Sequence, residues 1–164
     1  MQSHYMDAYN RYADALFRYC IVRVRNRDVA KDLVQETFLK AWTYITQDKD
    51  IENIQALLYR IAHNAIIDFS RKKRSISLEW LHEFAQYDPV DTTTQHPHDA
   101  VLQSEALVAI EKLDEKYRDP IILRYMEDKT IGEIASLLGE SENTISVRIH
   151  RGLQKLKAHF IIEP

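Results

Sequence analysis

The chain has 164 residues, 45% of them hydrophobic, and a formal net charge of −3, which allows a buried core in one medium domain or two small ones. Glycine (3 residues) and proline (4 residues) are scarce, which favours an all-helical chain. Because Cys20 is the only cysteine, an internal disulfide and a zinc site of several cysteines are excluded. No apolar stretch reaches about 18 residues and no signal-peptide pattern is present, so we expect a cytoplasmic protein without membrane insertion.

The negative net charge conceals a segregation of charge along the chain. Residues 71–74, RKKR, are all basic, whereas residues 75–110 contain acids and neither lysine nor arginine. Residues 147–160 contain four basic residues and no acid. Because exposed charges are screened beyond about 8–10 Å, such local patches matter more for contact with phosphates than the total charge. The composition is therefore compatible with nucleic-acid binding.

Apolar residues recur at spacings of three and four in the first half of the chain, which predicts helices at about 5–25, 29–45 and 53–72. Asp28 is a candidate N-cap of the second helix. A further short helix is possible at 75–87. Residues 88–100, DPVDTTTQHPHDA, contain two prolines and a threonine run, which predicts an extended linker and a domain boundary.

The second half predicts helices at about 100–113, 116–127, 130–138 and 142–160. Pro120 is compatible with the second of these only in its first turn. Gly139 is suited to a left-handed turn, and Ser141 is suited to cap the helix that follows.

The last two helices, EIASLLGESENTISVRIHRGL, have the pattern of a helix-turn-helix. The first helix buries Ile131, Ile134, Ala135 and Leu138. The second points Ile145, Ile149, Leu153 and Leu156 inward. Its outward face holds Glu142, Asn143, Ser146, Arg148 and Arg151, and its start offers backbone N–H groups to a phosphate. An ordinary helical hairpin would show the same spacing, but the basic, acid-free end of the second helix favours DNA binding.

Several segments, in the same order, resemble a known family. KTIGEIASLLGESENTISVRIHRGLQKL resembles the C-terminal promoter-binding domain of sigma-70-family RNA polymerase sigma factors, and LDEKYRDPIILRYMED resembles the preceding helix in their extracytoplasmic-function (ECF) group. RDVAKDLVQETFLKAW resembles regions 2.1–2.2 of that group. LLYRIAHNAIIDFSRKKRSISLEWL resembles its regions 2.3–2.4 and the start of its linker.

This resemblance implies an all-α fold of two small helical domains joined by a flexible linker. Residues 1–74 would form an N-terminal helical bundle that binds core RNA polymerase and the −10 element. Residues 75–99 would form an acidic linker in the polymerase channel that leads toward RNA exit. Residues 100–164 would form a four-helix domain whose helix-turn-helix reads the −35 element of promoter DNA. An anti-sigma factor is the implied regulator, and no cofactor or metal is expected.

The resemblance assigns polymerase binding to DLVQETFLKAW, which in the family docks on the clamp coiled coil. Helical spacing places four of its side chains on one exposed stripe, and these are Asp32, Gln35, Glu36 and Leu39. The spacing alone is equally typical of a solvated polar face.

The candidate −10 face lies in residues 60–74. Arg60, His63, Asn64, Ile67 and Arg71 fall near one line of the helix; asparagine can bind an adenine edge, and arginine a guanine or a phosphate. His63, where the family varies, is either a reading residue or a surface histidine. The basic run Arg71, Lys72, Lys73 and Arg74 predicts a phosphate clamp for the non-template strand, with a solvated helix end as the alternative.

The family also captures a flipped −10 base in the loop that spans 46–52 here. This loop has no aromatic residue, and Trp42 nearby is expected in the core. The identity of the captured base stays open.

For the −35 element the candidates are Ser141, Asn143, Thr144, Val147, Arg148 and Arg151. The family commonly has glycine at the position of Asn143 and serine at that of Val147. These two differences concern which −35 sequence is read, and not whether DNA is bound.

Three alternatives remain from the sequence. The first is a one-component helix-turn-helix repressor or activator that binds DNA without polymerase, with residues 1–90 as a ligand or dimer domain. The second is a helical adaptor that binds only protein. An enzyme is least expected, because no phosphate loop, carboxylate pair or activated nucleophile is present. Cys20 is predicted to be a core residue, and a zinc role for His96 and His98 is not expected.

Overall fold

The computed structural model describes residues 2–47, 50–80 and 105–162, with the side chains of 3–47, 50–73 and 105–160. Within these ranges the chain forms seven helices and no strand, so the all-α prediction is confirmed. The helices are α1 (Gln2–Val24), α2 (Arg27–Thr46), α3 (Ile54–Trp80), α4 (Glu105–Glu111), α5 (Glu115–Tyr125), α6 (Ile131–Leu138) and α7 (Glu142–Ile162). The chain divides into two compact units, Met1–Gln95 and His96–Pro164.

In the first unit α1, α2 and α3 each pack against the other two. The core between them contains Leu16, Tyr19, Leu58, Tyr59 and Ile66, which are fully buried. Cys20 is also buried, as predicted. Burial raises the pKa of its thiol to about 12, so Cys20 stays protonated at neutral pH and packs as a small apolar residue.

Two helix boundaries in this unit differ from the sequence predictions. Asn26, and not Asp28, caps α2, since its Oδ1 accepts a hydrogen bond of 3.0 Å from the backbone N–H of Val29. Asp28 lies inside the first turn, where a negative charge is favourable. The helix predicted to end near residue 72 continues to Trp80, because no glycine or proline interrupts it. Residues 81–104, with most of the predicted linker, the rest of the predicted 75–87 helix, His96 and His98, lie outside the described residues.

In the second unit α5 and α6 pack against α7, and α4 also contacts α7. The prediction that Pro120 needs the first turn of its helix is wrong, because Pro120 lies buried beyond the first turn of α5. A proline cannot donate a hydrogen bond to the carbonyl of Lys116 one turn earlier. The helix nevertheless continues to Tyr125.

The turn between α6 and α7 forms as predicted. Thr130 and Glu133 make a reciprocal capping box at the start of α6. Gly139 ends α6 in the left-handed conformation, with φ 68° and ψ 33°, where a side chain would be strained. Ser141 caps α7, since its Oγ accepts a hydrogen bond of 3.1 Å from the N–H of Thr144.

The packing face of the helix-turn-helix matches the prediction only in part. Ile145 and Ile149 are buried, but Leu153 is 38% exposed and Gly152 takes the inward position. A Cβ on Gly152 would lie 2.5 Å from Cδ1 of Ile121, so α5 and α7 are closely packed there. On α6, Leu137 is buried, whereas the predicted Ile131 and Leu138 are only half-buried.

Candidate nucleic-acid and protein interfaces

The stripe on α2 is exposed along its whole length. Asp32, Gln35, Glu36 and Leu39 all lie on the surface, and the neighbouring Leu33, Thr37 and Phe38 are buried against the other helices. Leu39 is 67% exposed, a high value for a leucine on a well-packed helix. Glu36 Oε1 lies 2.6 Å from Nζ of Lys40 one turn later. The packing thus leaves one large apolar side chain among polar ones, and its role in docking stays a prediction.

An apolar groove that the sequence did not indicate begins at Leu39. It is lined by Ser3, Tyr5, Met6, Leu39 and Trp42, from the start of α1 and the second half of α2. Trp42 was predicted in the core but is half-buried, with its ring centroid 4.7 Å from that of Tyr5 in an edge-to-face arrangement. Met6 is 53% exposed. Periodicity alone could not separate these residues from core residues, because they occupy the same helical spacing.

The candidate −10 face of α3 is polar and mostly exposed. Arg60, Asn64, Arg71, Lys72 and Lys73 are exposed, while His63 and Ile67 are half-buried. The side chain of Arg74 lies outside the described residues. Three successive cationic side chains, Arg71, Lys72 and Lys73, can contact phosphates, and Asn64 earlier in the helix can read a base edge.

His63 is tied to the core behind it, a contact that the sequence did not predict. The hydroxyl of Tyr19 on α1 lies 3.3 Å from Nδ1 of His63. Tyr19 is fully buried, and its ring centroid lies 5.4 Å from that of Tyr59 on α3. Burial raises the pKa of Tyr19, so its hydroxyl keeps its proton. His63 is therefore held by a specific hydrogen bond on its buried side.

The loop between α2 and α3 is described only in part. Asp48 and Lys49 lie outside the described residues. Asp50, Glu52 and Asn53 are exposed, and Asn53 Oδ1 accepts a hydrogen bond of 3.0 Å from the N–H of Ala56 at the start of α3. Capture of a base by this loop stays a prediction.

The first turns of α7 divide the −35 candidates into two groups. Asn143, Val147 and Arg151 are exposed, and Thr144 and Arg148 are half-buried. Ser141 is exposed, but its Oγ caps the helix and lies 2.8 Å from the hydroxyl of Thr144. These two hydroxyls therefore already make hydrogen bonds within the protein, whereas Asn143, Val147 and Arg151 form the outward surface.

Arg148 has an acidic neighbour that the sequence did not indicate. Its Nη2 lies 3.3 Å from Oε1 of Glu140, which stands in the turn between α6 and α7. Both side chains are partly exposed, at 28% and 39%. The left-handed Gly139 brings this turn beside the second turn of α7, which is why residues eight positions apart meet. The pair places a carboxylate at the edge of the candidate DNA surface.

Two further observations concern the described residues. In the part of the chain that the structure describes, no helix is both long enough and apolar enough to span a membrane. Among the same residues, no three His, Cys, Asp or Glu side chains are grouped to hold a metal ion.

Comparisons with known proteins connect both units to one family. Residues 8–76 match the model of sigma-70 region 2, and residues 103–156 match the model of sigma-70 region 4. The ECF RNA polymerase sigma factor SigW of Bacillus subtilis is 31% identical to this chain, over 95% of the chain and 88% of SigW. The RNA polymerase sigma factor SigV of Bacillus subtilis is 29% identical, over 86% of the chain and 81% of SigV.

Solved structures show the same fold. The sigma factor RpoE of Bartonella quintana, in complex with the anti-sigma factor NepR, matches with a TM-score of 0.69 at 22% identity over 98% of this chain and 99% of that one. CnrH, in complex with the cytosolic domain of CnrY, matches with a TM-score of 0.71 at 24% identity over 100% of this chain and 92% of that one.

Two helical units, one of them with a helix-turn-helix, together with matches to regions 2 and 4, define a sigma factor of the sigma-70 class. Within that class the chain belongs to the ECF group of RNA polymerase sigma factors. It is an alternative sigma factor that directs transcription initiation at specific promoters. The repressor and protein-adaptor alternatives are not favoured.

Proposed function

We propose that three exposed surfaces of the chain each bind a different part of the polymerase–promoter complex. The α2 stripe binds core RNA polymerase, the polar face of α3 contacts the −10 element, and the outward face of α7 reads the −35 element. Residues 1–74 and 100–164 are the two promoter-binding domains, and residues 75–99 link them through the polymerase channel. The observation that carries this proposal is Leu39, an apolar side chain that is 67% exposed on the polar stripe of α2, beside the buried Leu33 and Phe38.

Polymerase binding rests on the chemistry of the α2 stripe. Leu39 supplies the apolar contact that forms the centre of a protein interface, and Asp32, Gln35 and Glu36 supply a polar rim. The carboxylates of Asp32 and Glu36 favour a partner helix with lysine or arginine at matching positions. The stripe therefore fits one helical element of the polymerase clamp.

Contact with the −10 element rests on the order of side chains along α3. Asn64 and Arg60 present base-reading groups, and the cations of Arg71, Lys72 and Lys73 follow within the next turns. We assign the cations, with Arg74, to phosphates of the non-template strand. The loop at 46–52 is assigned to base capture.

Reading of the −35 element rests on the start of α7. Asn143, Val147 and Arg151 recur on its exposed side, at the end of the helix that enters the major groove in helix-turn-helix proteins. We assign base contacts to these three residues and to Arg148. Ser141 and Thr144 contribute by holding the helix start, whose free N–H groups can bind a phosphate.

Regulation by a protein partner follows from the relatives. RpoE of Bartonella quintana and CnrH were each solved with a partner, an anti-sigma factor in the first case. We propose that an anti-sigma factor also controls this chain, by covering the surfaces that bind polymerase. The chain would act in the cytoplasm, together with the polymerase, and without catalytic activity of its own.

These assignments are tested by combining protein variants with promoter variants. Holoenzyme is assembled from full chain and core polymerase, and transcription is measured on promoters altered at the −10 or the −35 element. We expect Asn64→Ala to change the response to −10 substitutions alone, and Arg151→Ala the response to −35 substitutions alone, each by about 5- to 150-fold at one base position. A uniform loss on all promoters from both variants would contradict the assignment.

A substitution at Glu140 is expected to strengthen DNA binding. Its carboxylate holds Arg148 and repels nearby phosphates, so Glu140→Gln should strengthen binding of the holoenzyme to a promoter fragment. The slope of log affinity against log salt should steepen by about one, because one more cation becomes available to the DNA. Glu105→Gln on α4 makes the same change in net charge and should leave the slope unaltered. Weaker binding by Glu140→Gln would mean that Glu140 positions Arg148 for its contact.

A further inference from the structure

The hydrogen bond between Tyr19 and His63 joins the buried core to the −10 face of α3. Tyr19 has no exposed surface, and its ring packs against Tyr59, so its hydroxyl has little freedom to move. A buried hydroxyl that failed to donate its proton would cost about 1–3 kcal/mol. Nδ1 of His63, 3.3 Å away, is an acceptor within its reach. The Tyr19 hydroxyl therefore donates to Nδ1.

This bond determines which side of the imidazole can donate. In the neutral ring one nitrogen accepts and the other carries the proton, so acceptance at Nδ1 leaves the proton on Nε2. The hydrogen bond also limits rotation of the ring about its side-chain bonds. His63 stands between Arg60 and Asn64 on the exposed side of α3, and it is half-buried where those two are exposed. Its Nε2–H edge is thus a donor held in one orientation beside these exposed side chains.

We propose that Tyr19 is a positioning residue that makes His63 a specificity-determining hydrogen-bond donor toward a base of the −10 element. An Nε2–H donor matches the keto oxygen of thymine or guanine, whereas cytosine and adenine present amino donors at the equivalent place. The proposal rests on the assignment of α3 to the −10 element. It explains why a tyrosine hydroxyl is placed deep in the core directly behind a half-exposed histidine on that face.

The test is a promoter library with randomised −10 bases, transcribed by holoenzymes that contain the full chain. For His63→Ala we expect one base position to lose its preference for thymine or guanine by about three- to tenfold, the value of one hydrogen bond. Tyr19→Phe should weaken the preference at the same position, and should add nothing in the His63→Ala background. Tyr59→Phe removes a hydroxyl from the neighbouring buried ring, leaves the Tyr19–His63 bond in place, and should keep the preference.

Two other results would contradict the proposal. If Tyr19→Phe lowered transcription equally on all sequences and kept the preference, Tyr19 would be merely structural and the proposal would be wrong. A uniform loss from His63→Ala would identify a phosphate contact and would also overturn it. The variant Asn64→Ala distinguishes a failure of the proposal for Tyr19 and His63 from a failure of the assignment of α3 to the −10 element. If Asn64→Ala alters the −10 base preference and Tyr19→Phe and His63→Ala do not, only the proposed role of Tyr19 and His63 is wrong. If none of the three variants alters the preference, α3 does not read the −10 element.

Discussion

Replacing Leu39 with aspartate should remove the binding of this chain to core RNA polymerase while the fold remains intact. Leu39 is 67% exposed, so the substitution creates no cavity in the N-terminal unit. Substitutions at such positions usually change the free energy of unfolding by about 0.5 kcal/mol or less. At an interface centre, by contrast, a buried carboxylate without a partner costs several kcal/mol. We expect the affinity to fall by about 30-fold or more.

The measurement is a titration of labelled core polymerase with the full chain, accompanied by circular dichroism to check the fold. Leu39→Met is the matched control, because it keeps a large apolar side chain at the same place and should bind nearly as well as the original. If Leu39→Asp bound with unchanged affinity, the α2 stripe would be a solvated face. Polymerase binding would then have to be assigned to another surface.

Replacing Gly152 with leucine should unfold or severely loosen the C-terminal unit. A single added Cβ already lies 2.5 Å from Cδ1 of Ile121 and 3.3 Å from Cβ of Tyr117. Ile121 is itself buried and cannot move into solvent, so the whole leucine has to displace α5 from α7. Overpacking of this degree should cost about 3 kcal/mol, which greatly exceeds the gain of about 0.8 kcal/mol in helix propensity.

Hydrogen exchange of the full chain, followed by mass spectrometry, localises this effect. We expect peptides from α5 and α7 to lose protection in Gly152→Leu, while peptides from α1 and α2 keep theirs. Gln154→Leu is the matched control, since it introduces the same side chain at an exposed position of the same helix. Unchanged protection in Gly152→Leu would mean that α5 and α7 are not packed as closely as the structure has them.

The helices themselves could be predicted from the sequence, because their apolar spacing is regular and their breakers are few. The turn of the helix-turn-helix could also be predicted, since Gly139 and Ser141 are residues whose backbone preferences are strong. The resemblance to ECF sigma factors, carried by motifs in both halves, predicted the family that the comparisons then showed.

The choice of helix face at single positions could not be predicted. After Ile149, helical periodicity allows either residue 152 or residue 153 to point inward, and the pattern favoured the apolar Leu153. In the structure the neighbouring helix is so close that glycine fits best. The cap of α2 posed the same problem, because Asn26 and Asp28 are both good capping residues and only the backbone conformation decides between them.

Contacts between residues that are far apart in the sequence could not be predicted either. Tyr19 and His63 are on different helices, and their hydrogen bond depends on how α1 and α3 are oriented. Glu140 and Arg148 meet only because the turn at Gly139 reverses the chain beside α7. Each contact involves a residue that the sequence analysis proposed as a candidate for DNA binding, and the sequence pattern alone does not contain these contacts.

The most direct test of the account is to mix the purified chain with bacterial core RNA polymerase, separate the mixture on a sizing column, and map the transcripts made from genomic fragments. We predict that the chain co-elutes with the polymerase and directs initiation at a discrete set of start sites, preceded by common −10 and −35 sequences. Core polymerase alone should not use those sites. Failure to co-elute, together with tight and specific binding of duplex DNA by the chain alone, would contradict the account.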